Sequence, residues 1–222
     1  MARKIAKQPP LKAATDGQSI ARLVPSQTRS RERFELILAC AVEVMGEKGS
    51  DAFRMSDIVE RTGIAFGSLY QYFPDKTAII GTLAERYNAI GRACVSKELS
   101  ALNDMAALHG VLCRLTDSYY QFFVDEPAVL YIWQATQADR ALQKLDEEDG
   151  AFLTGLLIDA LRPIASDVSD AALTDFCQIV MVLMAAAVRH AIVLPPKEGR
   201  RILDRFKRML PKDLVGLEPG LA

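Results

Sequence analysis

The sequence predicts an all-α protein. Apolar residues recur three and four positions apart along most of the chain from Ser30 onward, which is the spacing of one helix face. No segment reads convincingly as a strand, and no internal repeat is found. Glycine and proline divide the helical pattern into about nine segments. We therefore expect three helices in an N-terminal head, a long connecting helix and a larger helical body.

The first helix is predicted to run from about Ser30 to Gly49. Phe34 and Met45 lie on its apolar face, at helical spacing. Thr28 or Ser30 can cap its start, because a side-chain oxygen can accept a hydrogen bond from a free amide of the first turn. Gly49 is typical of a helix end.

Two short helices are predicted next, over 55–62 and 66–72. Gly63 breaks the first of them. Pro74 ends the second, because proline disfavours helical geometry in the residue before it. Asp75 can cap the long fourth helix, which is expected to reach about residue 100. At 1.5 Å per residue, such a helix is a rod of roughly 35 Å.

Five further helices are predicted in the body. Asn103 and Ser169 are candidate caps for two of them, and proline interrupts the chain between others. The expected helices begin near Asn103 and Asp125 and then cover 140–161, 170–193 and 197–209.

The charge is unevenly distributed along the chain. The total of −1 does not indicate an acidic or a basic partner. Residues 1–33, however, hold eight basic and two acidic residues, whereas residues 77–222 hold 15 basic and 19 acidic ones. We expect a basic, disordered tail over 1–29, a head over 30–76 and a helical body over 77–222.

Two other properties limit the classes of protein to consider. The four cysteines show no close pairing, so a zinc or C-x-x-C redox motif is not expected; they are either reduced buried thiols or include a redox sensor. The longest apolar run, over 179–188, is about half of what a bilayer requires, and the N-terminus lacks the apolar segment of a signal peptide. We expect a soluble cytoplasmic protein that does not associate with a membrane.

Enzyme chemistry is also not indicated. Metal sites in helical bundles need Glu-x-x-His pairs, but the residues three positions before His109 and His190 are Ala106 and Ala187. No H-E-x-x-H, phosphate-binding loop or nucleophile elbow is present. We therefore predict neither catalysis nor a metal or other cofactor.

The helices over 55–62 and 66–72, joined by a tight turn at Gly63, are typical of a helix-turn-helix. Ile58, Ile64 and Leu69 can fix the angle between them, so that the polar face of the second helix can enter the major groove of DNA. The segment FRMSDIVERTGIAFGSLYQYFPDKTAII, residues 53–80, resembles the DNA-binding signature of the tetracycline-repressor-like (TetR) family of bacterial regulators. Over about 31–80 this resemblance is free of gaps.

The resemblance implies a role in DNA binding for several residues. Tyr70 and Tyr72 would pack or hydrogen-bond toward phosphates, and Lys76 would contact a phosphate at the start of the fourth helix. The chemistry of hydroxyl and ammonium groups agrees. The groups expected to face the bases are Phe66, Gly67, Ser68 and Gln71. Gln71 can pair with adenine, and Phe66 can either contact a thymine methyl group or pack within the head.

Two residues depart from the family pattern. Ala65 replaces the usual Ser or Thr at the start of the recognition helix, so a side-chain cap worth about 1 kcal/mol is missing. Arg54 replaces a common Thr and either contacts a phosphate or lies in solvent. Phe73 is expected to pack within the head.

The basic tail is either a solvated extension or an arm in which Arg22, Arg29, Arg31 or Arg33 reaches DNA.

The resemblance also implies a homodimer that binds double-stranded DNA at a palindromic operator, with an interface formed by the last two helices. The near-uniform apolarity of the helix over 170–193 agrees, because such a helix must be covered on both sides. The candidate interface residues are Val180, Leu183, Ala187, Ala191 and Phe206.

A pocket for a small-molecule effector in the body is implied in the same way. Its candidate lining residues are Tyr119, Tyr120, Phe123, Trp133, Phe152, Phe176, Met184 and Arg189. Arg189 lies in an apolar helix, and arginine is almost never buried without a partner. It can pair with an acid, reach the interface or bind an anionic ligand.

Together these features predict a ligand-responsive repressor. An effector that prefers one state of the body would tilt the fourth helix and change the spacing of the two heads. The alternative is a non-inducible architectural or adaptor protein that uses the same head.

Overall fold

The computed structural model describes residues 28–214. Within this range the chain forms nine α-helices, two short 3₁₀ turns and no strand, as the sequence predicts. The helices are α1 Thr28–Lys48, α2 Met55–Thr62, α3 Phe66–Tyr72, α4 Lys76–Leu99, α5 Leu108–Asp125, α6 Ala128–Ala138, α7 Arg140–Leu161, α8 Asp170–Ile192 and α9 Pro196–Met209.

Local signals set most of the helix ends. Gly49 and Gly63 have left-handed backbone conformations, with φ of 80° and 68°, which favour glycine. The Asp75 carboxylate accepts a hydrogen bond from the Ala78 amide at 2.8 Å, and the Ser169 hydroxyl accepts one from the Ala172 amide at 3.3 Å. These predicted helix ends and caps are confirmed.

Two predicted caps are wrong. The first helix already begins at Thr28, so Ser30 lies inside its first turn and cannot be the cap. Before α5, Asp104 rather than Asn103 accepts the hydrogen bond, from the Ala107 amide at 2.8 Å, because a 3₁₀ turn over Met105–Ala107 precedes the helix. Thr28 and Arg29, assigned to the tail from sequence, are helical; the rest of that tail lies outside the described residues.

The head and the adjoining half of the body share one apolar core. Ile37 and Leu38 of α1 belong to the same buried cluster as Ile79 of α4 and Ile132 of α6. A second cluster, centred on α5, α7 and α8, fills the far half of the body and includes Leu112, Leu157 and Leu173. Displacing α4 or α6 would therefore disturb packing inside the head.

Polar contacts join α4 to its neighbours. The Arg86 guanidinium donates to the Glu35 carboxylate of α1, with one N–O distance of 2.6 Å. The Arg92 guanidinium donates to the Asp149 carboxylate of α7 at 2.5 Å. The Thr77 hydroxyl, in the first turn of α4, donates to the Asp139 carboxylate at 3.2 Å, and Asp139 caps α7. The start of α4 is thus attached to the body as well as to the head.

The four cysteines are free thiols. Burial raises the pKa of the Cys40 and Cys113 thiols and raises that of Cys177 to about 12. Because the thiolate is the reactive form, these three side chains are protonated and unreactive near neutral pH.

Candidate nucleic-acid interface

The turn between α2 and α3 holds the two helices at a fixed angle. The Gly63 amide donates to the Val59 carbonyl at 3.0 Å and closes α2. The Thr62 hydroxyl donates to the Ile58 carbonyl and accepts from the Ile64 amide at 3.3 Å, which fixes the residue after the turn. Leu69 of α3 is fully buried. These contacts fix the turn, and Leu69 anchors α3 to the core of the head, while the opposite face of α3 is exposed.

That opposite face of α3 is open to solvent. Phe66 is 47% exposed and Tyr70 is 42% exposed, and their rings stack with centroids 6.2 Å apart. Gly67 and Gln71 are exposed between and beside them, and Ser68 is half-buried. Phe66 therefore does not belong to the core of the head, and of the two alternatives left open for it this exposure favours contact with a base. A partner that approaches this face would meet the aromatic rings, the side-chain amide of Gln71 and, at Gly67, a position without a side chain.

Tyr72, predicted to pack or hydrogen-bond toward a phosphate, is buried in this structure. Tyr72 is only 4% exposed, and its hydroxyl lies 2.7 Å from the Ser30 hydroxyl. Its ring packs edge-to-face on Phe34, with centroids 6.0 Å apart. The tyrosine therefore points into the head and joins α3 to α1, because residues two positions apart on an α-helix, such as Tyr70 and Tyr72, are about 200° apart around its axis. Phe73 is fully buried against Phe34, as predicted.

The start of α3 lacks a side-chain cap, as the alanine at position 65 predicts. Ala65 has an extended backbone, and no side chain bonds the first-turn amides. The start of α2 is held differently: the Asp57 carboxylate accepts from the Arg54 amide at 3.0 Å and from the Lys48 ammonium at 2.7 Å. The hydrogen bond from Lys48 holds the pKa of Asp57 below its usual value. This arrangement leaves the Arg54 side chain exposed.

The basic residues of the head fall into two groups. Arg61 is bound to Glu47 by two hydrogen bonds, which lower the pKa of that carboxyl, and Lys48 is bound to Asp57. No ion pair joins the exposed residues of the second group to any acid among residues 28–214. They are Arg29, Arg31 and Arg33 of α1, Arg54 before α2 and Lys76 at the start of α4. Only this second group has charge available for phosphates.

The arginines of α1 lie beside α3, the helix predicted to be the recognition helix. The contact between Ser30 and Tyr72 brings the first turn of α1 to the end of α3. Arg29 and Arg31 flank Ser30 in that turn, and both are exposed. Of the four arginines considered for an arm, three therefore belong to a rigid helix; Arg22 lies outside the described residues. Sequence reasoning missed this arrangement because it places the start of α1 at Ser30, two residues too late.

A small cavity lies in the body, between α4, α6 and α7. Its volume is about 40 Å³. Trp133 lines it, together with Tyr87 and Asn88 of α4 and Asp146 of α7. The remaining lining residues are Ala84, Val129, Ile132, Thr136 and Leu145.

The other predicted pocket residues do not line this cavity. Phe176 and Met184 pack in the second core cluster, and Phe152 is exposed under the Arg92 guanidinium. Tyr119 and Phe123 pack edge-to-face on one another, and Tyr120 is buried nearby. Of the eight predicted pocket residues, only Trp133 lines this cavity. Residues with the same helical spacing belong to two separate cores, and the sequence pattern does not distinguish these cores.

Arg189 is half-buried and lies over the Trp133 ring, 4.5 Å from its centroid. No carboxylate lies within ion-pair distance of it among the described residues, so the expected pairing with an acid is not found.

A larger depression of about 510 Å³ lies on the outer face of α9. It is lined only by charged residues and opens to solvent, so it lacks the apolar enclosure of a small-molecule pocket.

The face of α8 turned away from the core is apolar. Ile179, Val182, Leu183 and Val193 are all more than half exposed, and Met209 of α9 is 80% exposed. Two predicted interface residues are wrongly placed: Val180 is buried in the second core cluster, and Ala191 is fully buried against α9. By length and composition alone α8 could also cross a membrane, and 28% of its most apolar stretch is buried. No other helix among residues 28–214 covers this apolar face.

Comparison with known proteins identifies the two parts of the chain. Residues 37–83 match the model of the tetR family of bacterial regulatory proteins, and residues 106–217 match a tetracyclin repressor-like C-terminal domain. The latter match alone covers half of the chain. The helix-turn-helix described above lies within the first match.

Individual relatives agree. An uncharacterized HTH-type transcriptional regulator, YvdT of Bacillus subtilis, is 45% identical over 62 residues, which are 28% of this chain and 31% of that protein. The HTH-type transcriptional repressor KstR of Mycolicibacterium smegmatis is 34% identical over 80 residues, or 36% of this chain and 35% of the relative. The matched region thus spans about a third of either relative.

The fold as a whole is also shared with a solved structure. A putative TetR-family regulator from Syntrophomonas wolfei superposes with a TM-score of 0.64, covering 86% of this chain and 97% of that one, at 15% identity. An exposed recognition helix on a three-helix head, an all-helical body and matches to both family models lead to one conclusion: this chain belongs to the TetR family of DNA-binding transcriptional regulators.

Proposed function

We propose that this protein is a ligand-responsive repressor that binds a palindromic operator as a homodimer. The observation that carries the proposal is the solvent-exposed face of α3, where no element within residues 28–214 covers Phe66, Tyr70 and Gln71. A short helix anchored by Leu69 and open on the other side has the shape that enters a major groove.

The exposed side chains divide by chemistry. Gln71 and Ser68 can hydrogen-bond to base edges, and the Phe66 ring can contact a thymine methyl group. The Tyr70 hydroxyl, Lys76 and Arg54 suit phosphate oxygens. Tyr72 is not among them, because it supports α3 from inside the head.

A dimer follows from the apolar face of α8 and from the limited reach of one recognition helix. One short helix reads too few bases to select a single genomic site, and two heads related by a two-fold axis double that number. The exposed face of Ile179, Val182, Leu183 and Val193 can be covered by the same face of a second copy, since a two-fold interface is self-complementary. Ala187 and Phe206, also predicted at the interface, are half-buried and pack against the first and the second core cluster respectively.

Ligand response is proposed from the elements that line the cavity. Tyr87 and Asn88 belong to α4, which begins at Lys76 directly after the recognition helix. Trp133 belongs to α6, which shares a core with α1. A ligand that enlarges the cavity would displace α4 and α6 together and reorient the head. Only a ligand that prefers one arrangement can shift the population.

The small volume of the cavity also supports a second candidate function, that of a non-inducible DNA-binding protein. About 40 Å³ holds only about two or three water molecules, far below the roughly 300 Å³ of a typical ligand pocket. A non-inducible DNA-binding protein with the same head would have such a small cavity in every state. A ligand-responsive one would have it only in the ligand-free state.

The test begins with selection of a preferred DNA sequence from a random pool by the full chain. We expect a palindrome with half-sites about one helical turn apart. The Gln71→Ala variant should relax specificity at one position of each half-site and lose about 1–3 kcal/mol per contact. Gln134→Ala, at an exposed glutamine of α6, is the matched control and should change nothing. A selected site without two-fold symmetry would contradict the dimer model, and equal affinity for specific and random DNA would favour an architectural protein.

A further inference from the structure

We propose that the cavity beside Trp133 takes a ligand with a carboxylate group and an apolar tail, and that Arg189 holds the carboxylate. This inference rests on the ligand-responsive function proposed above and adds the chemical class of the ligand. Neither family match nor any relative assigns a ligand to these residues.

The first observation is the unusual position of Arg189. It is half-buried, and its guanidinium lies over the Trp133 ring at 4.5 Å from the centroid. The other half-buried arginines of the body are each paired with an acid: Arg86 with Glu35, Arg92 with Asp149 and Arg162 with Asp170. Among residues 28–214, Arg189 has no such acid. Cation–π contact satisfies the charge only in part, and the guanidinium carries five N–H donors suited to a carboxylate.

The second observation concerns Trp133 itself. Its Nε1–H group is buried and has no hydrogen-bond partner, the only such side-chain atom in the described part of the chain. A buried donor without an acceptor costs about 1–3 kcal/mol. Since Arg189 lies on the face of the same ring, two adjacent side chains have donors to offer. Both could donate to an acceptor that enters between them.

The third observation is the state of the surrounding polar groups. Burial raises the pKa of the Tyr119 hydroxyl, an effect that nearby Arg189 only partly offsets, so this group stays protonated and can donate. The acids in this region are engaged: Asp149 accepts from Arg92 at 2.5 Å, and Asp146 accepts from the Gln137 amide at 3.0 Å. Although Asp146 lines the cavity, the two groups at the Trp133 ring that no carboxylate among residues 28–214 engages, its own Nε1–H and the Arg189 guanidinium, are both donors and favour an anion at that point.

The walls of the cavity define the rest of the ligand. Ala84, Val129, Ile132 and Leu145 supply aliphatic surface, and the ring of Tyr87 completes it. Such walls favour an apolar tail. At about 40 Å³ the cavity is too small for that tail unless α4, α6 and α7 move apart. Binding would thus join α8, through Arg189, to α6, through Trp133, while the tail displaces α4.

The test uses the full chain and its single tryptophan. Trp133 is the only indole present, so its fluorescence reports on this site alone. Octanoate, octanol and octylamine share one tail and differ only in the head group. We expect octanoate to shift the emission of Trp133 in a saturable manner, with octanol binding about ten-fold more weakly and octylamine weaker still.

Two variants locate the carboxylate. Arg189→Gln should weaken octanoate binding at least about ten-fold, or 1.4 kcal/mol, and should leave octanol binding unchanged. Arg205→Gln, at an exposed arginine of α9, is the control and should behave as the wild type. The three-ligand comparison on the wild-type chain decides the ligand class even if Arg189→Gln does not fold.

Three results would overturn the inference: no emission change with octanoate, equal binding of octylamine, or undiminished octanoate binding by Arg189→Gln. Operator affinity measured in the same samples separates this inference from the proposed function. If octanoate binds at Trp133 without changing operator affinity, the ligand class stands and the ligand-responsive function fails. If another compound releases the operator without affecting Trp133, the ligand-responsive function stands and the inferred ligand class fails.

Discussion

The hydroxyl oxygens of Ser30 and Tyr72 lie 2.7 Å apart and join the first turn of α1 to the last residue of the recognition helix. Their separation of 42 positions makes this a tertiary contact. It holds α3 from the side opposite the groove face. It also sets Arg29 and Arg31 next to the end of α3, where their charges are available to a partner.

This contact predicts that Tyr72→Phe lowers stability without removing a phosphate contact. The ring still packs on Phe34, so the decrease should be about 1 kcal/mol, the typical net value of one hydrogen bond. Urea denaturation of Tyr72→Phe, Ser30→Ala and the double variant measures it, and the two single effects should not add. A lower operator affinity with a smaller salt slope, at unchanged stability, would instead restore a phosphate contact for Tyr72.

The two glycines of the helix-turn-helix should respond in opposite ways to alanine. Gly63 has φ of 68°, so Gly63→Ala should destabilise the head by about 1 kcal/mol. A Cβ added at Gly67 meets nothing within 4 Å, so Gly67→Ala should keep or slightly raise stability while weakening operator binding. Thermal unfolding and DNA titration separate the two effects. Unchanged DNA affinity in Gly67→Ala would place this face outside the interface.

Lys76 should contribute to the salt dependence of DNA binding. Lys76→Met removes one available cation per protomer, so the slope of log K against log salt should become shallower by about 0.9 for each phosphate that is no longer neutralised. Arg61→Met is the matched control, because Arg61 is already bound to Glu47 and has no charge available. An equal change of slope in both variants would show a general charge effect and argue against a specific phosphate interaction of Lys76.

Leu183 is the most direct probe of the dimer. It is 54% exposed on α8, between Ile179 and Ala186 on the same apolar face. A charge buried in a two-fold interface is repeated by symmetry and is not compensated, so Leu183→Asp should yield monomers. Analytical ultracentrifugation measures the change, and operator affinity should fall with it. Thr174→Asp, an exposed position on another side of α8, should remain dimeric.

Acid should loosen the start of α2 through Asp57. Its folded-state pKa is lowered, so the stabilisation is present above the unfolded value of about 3.9 and is lost as pH falls through the folded value. Asp57→Asn should therefore be less stable than the wild type at neutral pH, and the difference should shrink below about pH 4. Urea denaturation across pH measures this. Asp51→Asn, at an exposed position, is the control. A difference that persists at low pH would mean that packing, not charge, is responsible.

The helix boundaries were predictable because the signals that set them are local. Gly63 has a left-handed backbone that favours glycine, Pro74 disfavours helical geometry in the residue before it, and Asp75 caps the amide three residues later. Each signal acts within one turn and can be read from neighbouring residues. The same locality explains the recognition of the head, whose signature is a single run of the chain.

The sequence by itself determined the helical class, the position of the helix-turn-helix and the family. Only the tertiary structure decided which side of each helix faces inward. Tyr70 is exposed and Tyr72 buried, although both are tyrosines of one short helix. Leu183 is exposed and Val180 buried on a helix that is apolar nearly all round. Hydrophobicity alone does not orient such a helix, because orientation depends on which distant helices supply a core.

Which charged side chains form ion pairs was likewise decided only by the tertiary structure. Arg61 and Arg54 look alike in sequence, but Glu47 of α1 neutralises the first and leaves the second available. An acidic partner was one expectation for Arg189, which instead lies on Trp133 with no acid paired to it among residues 28–214. Pairing depends on what long-range packing brings within about 4 Å, and that is the information a one-dimensional pattern lacks.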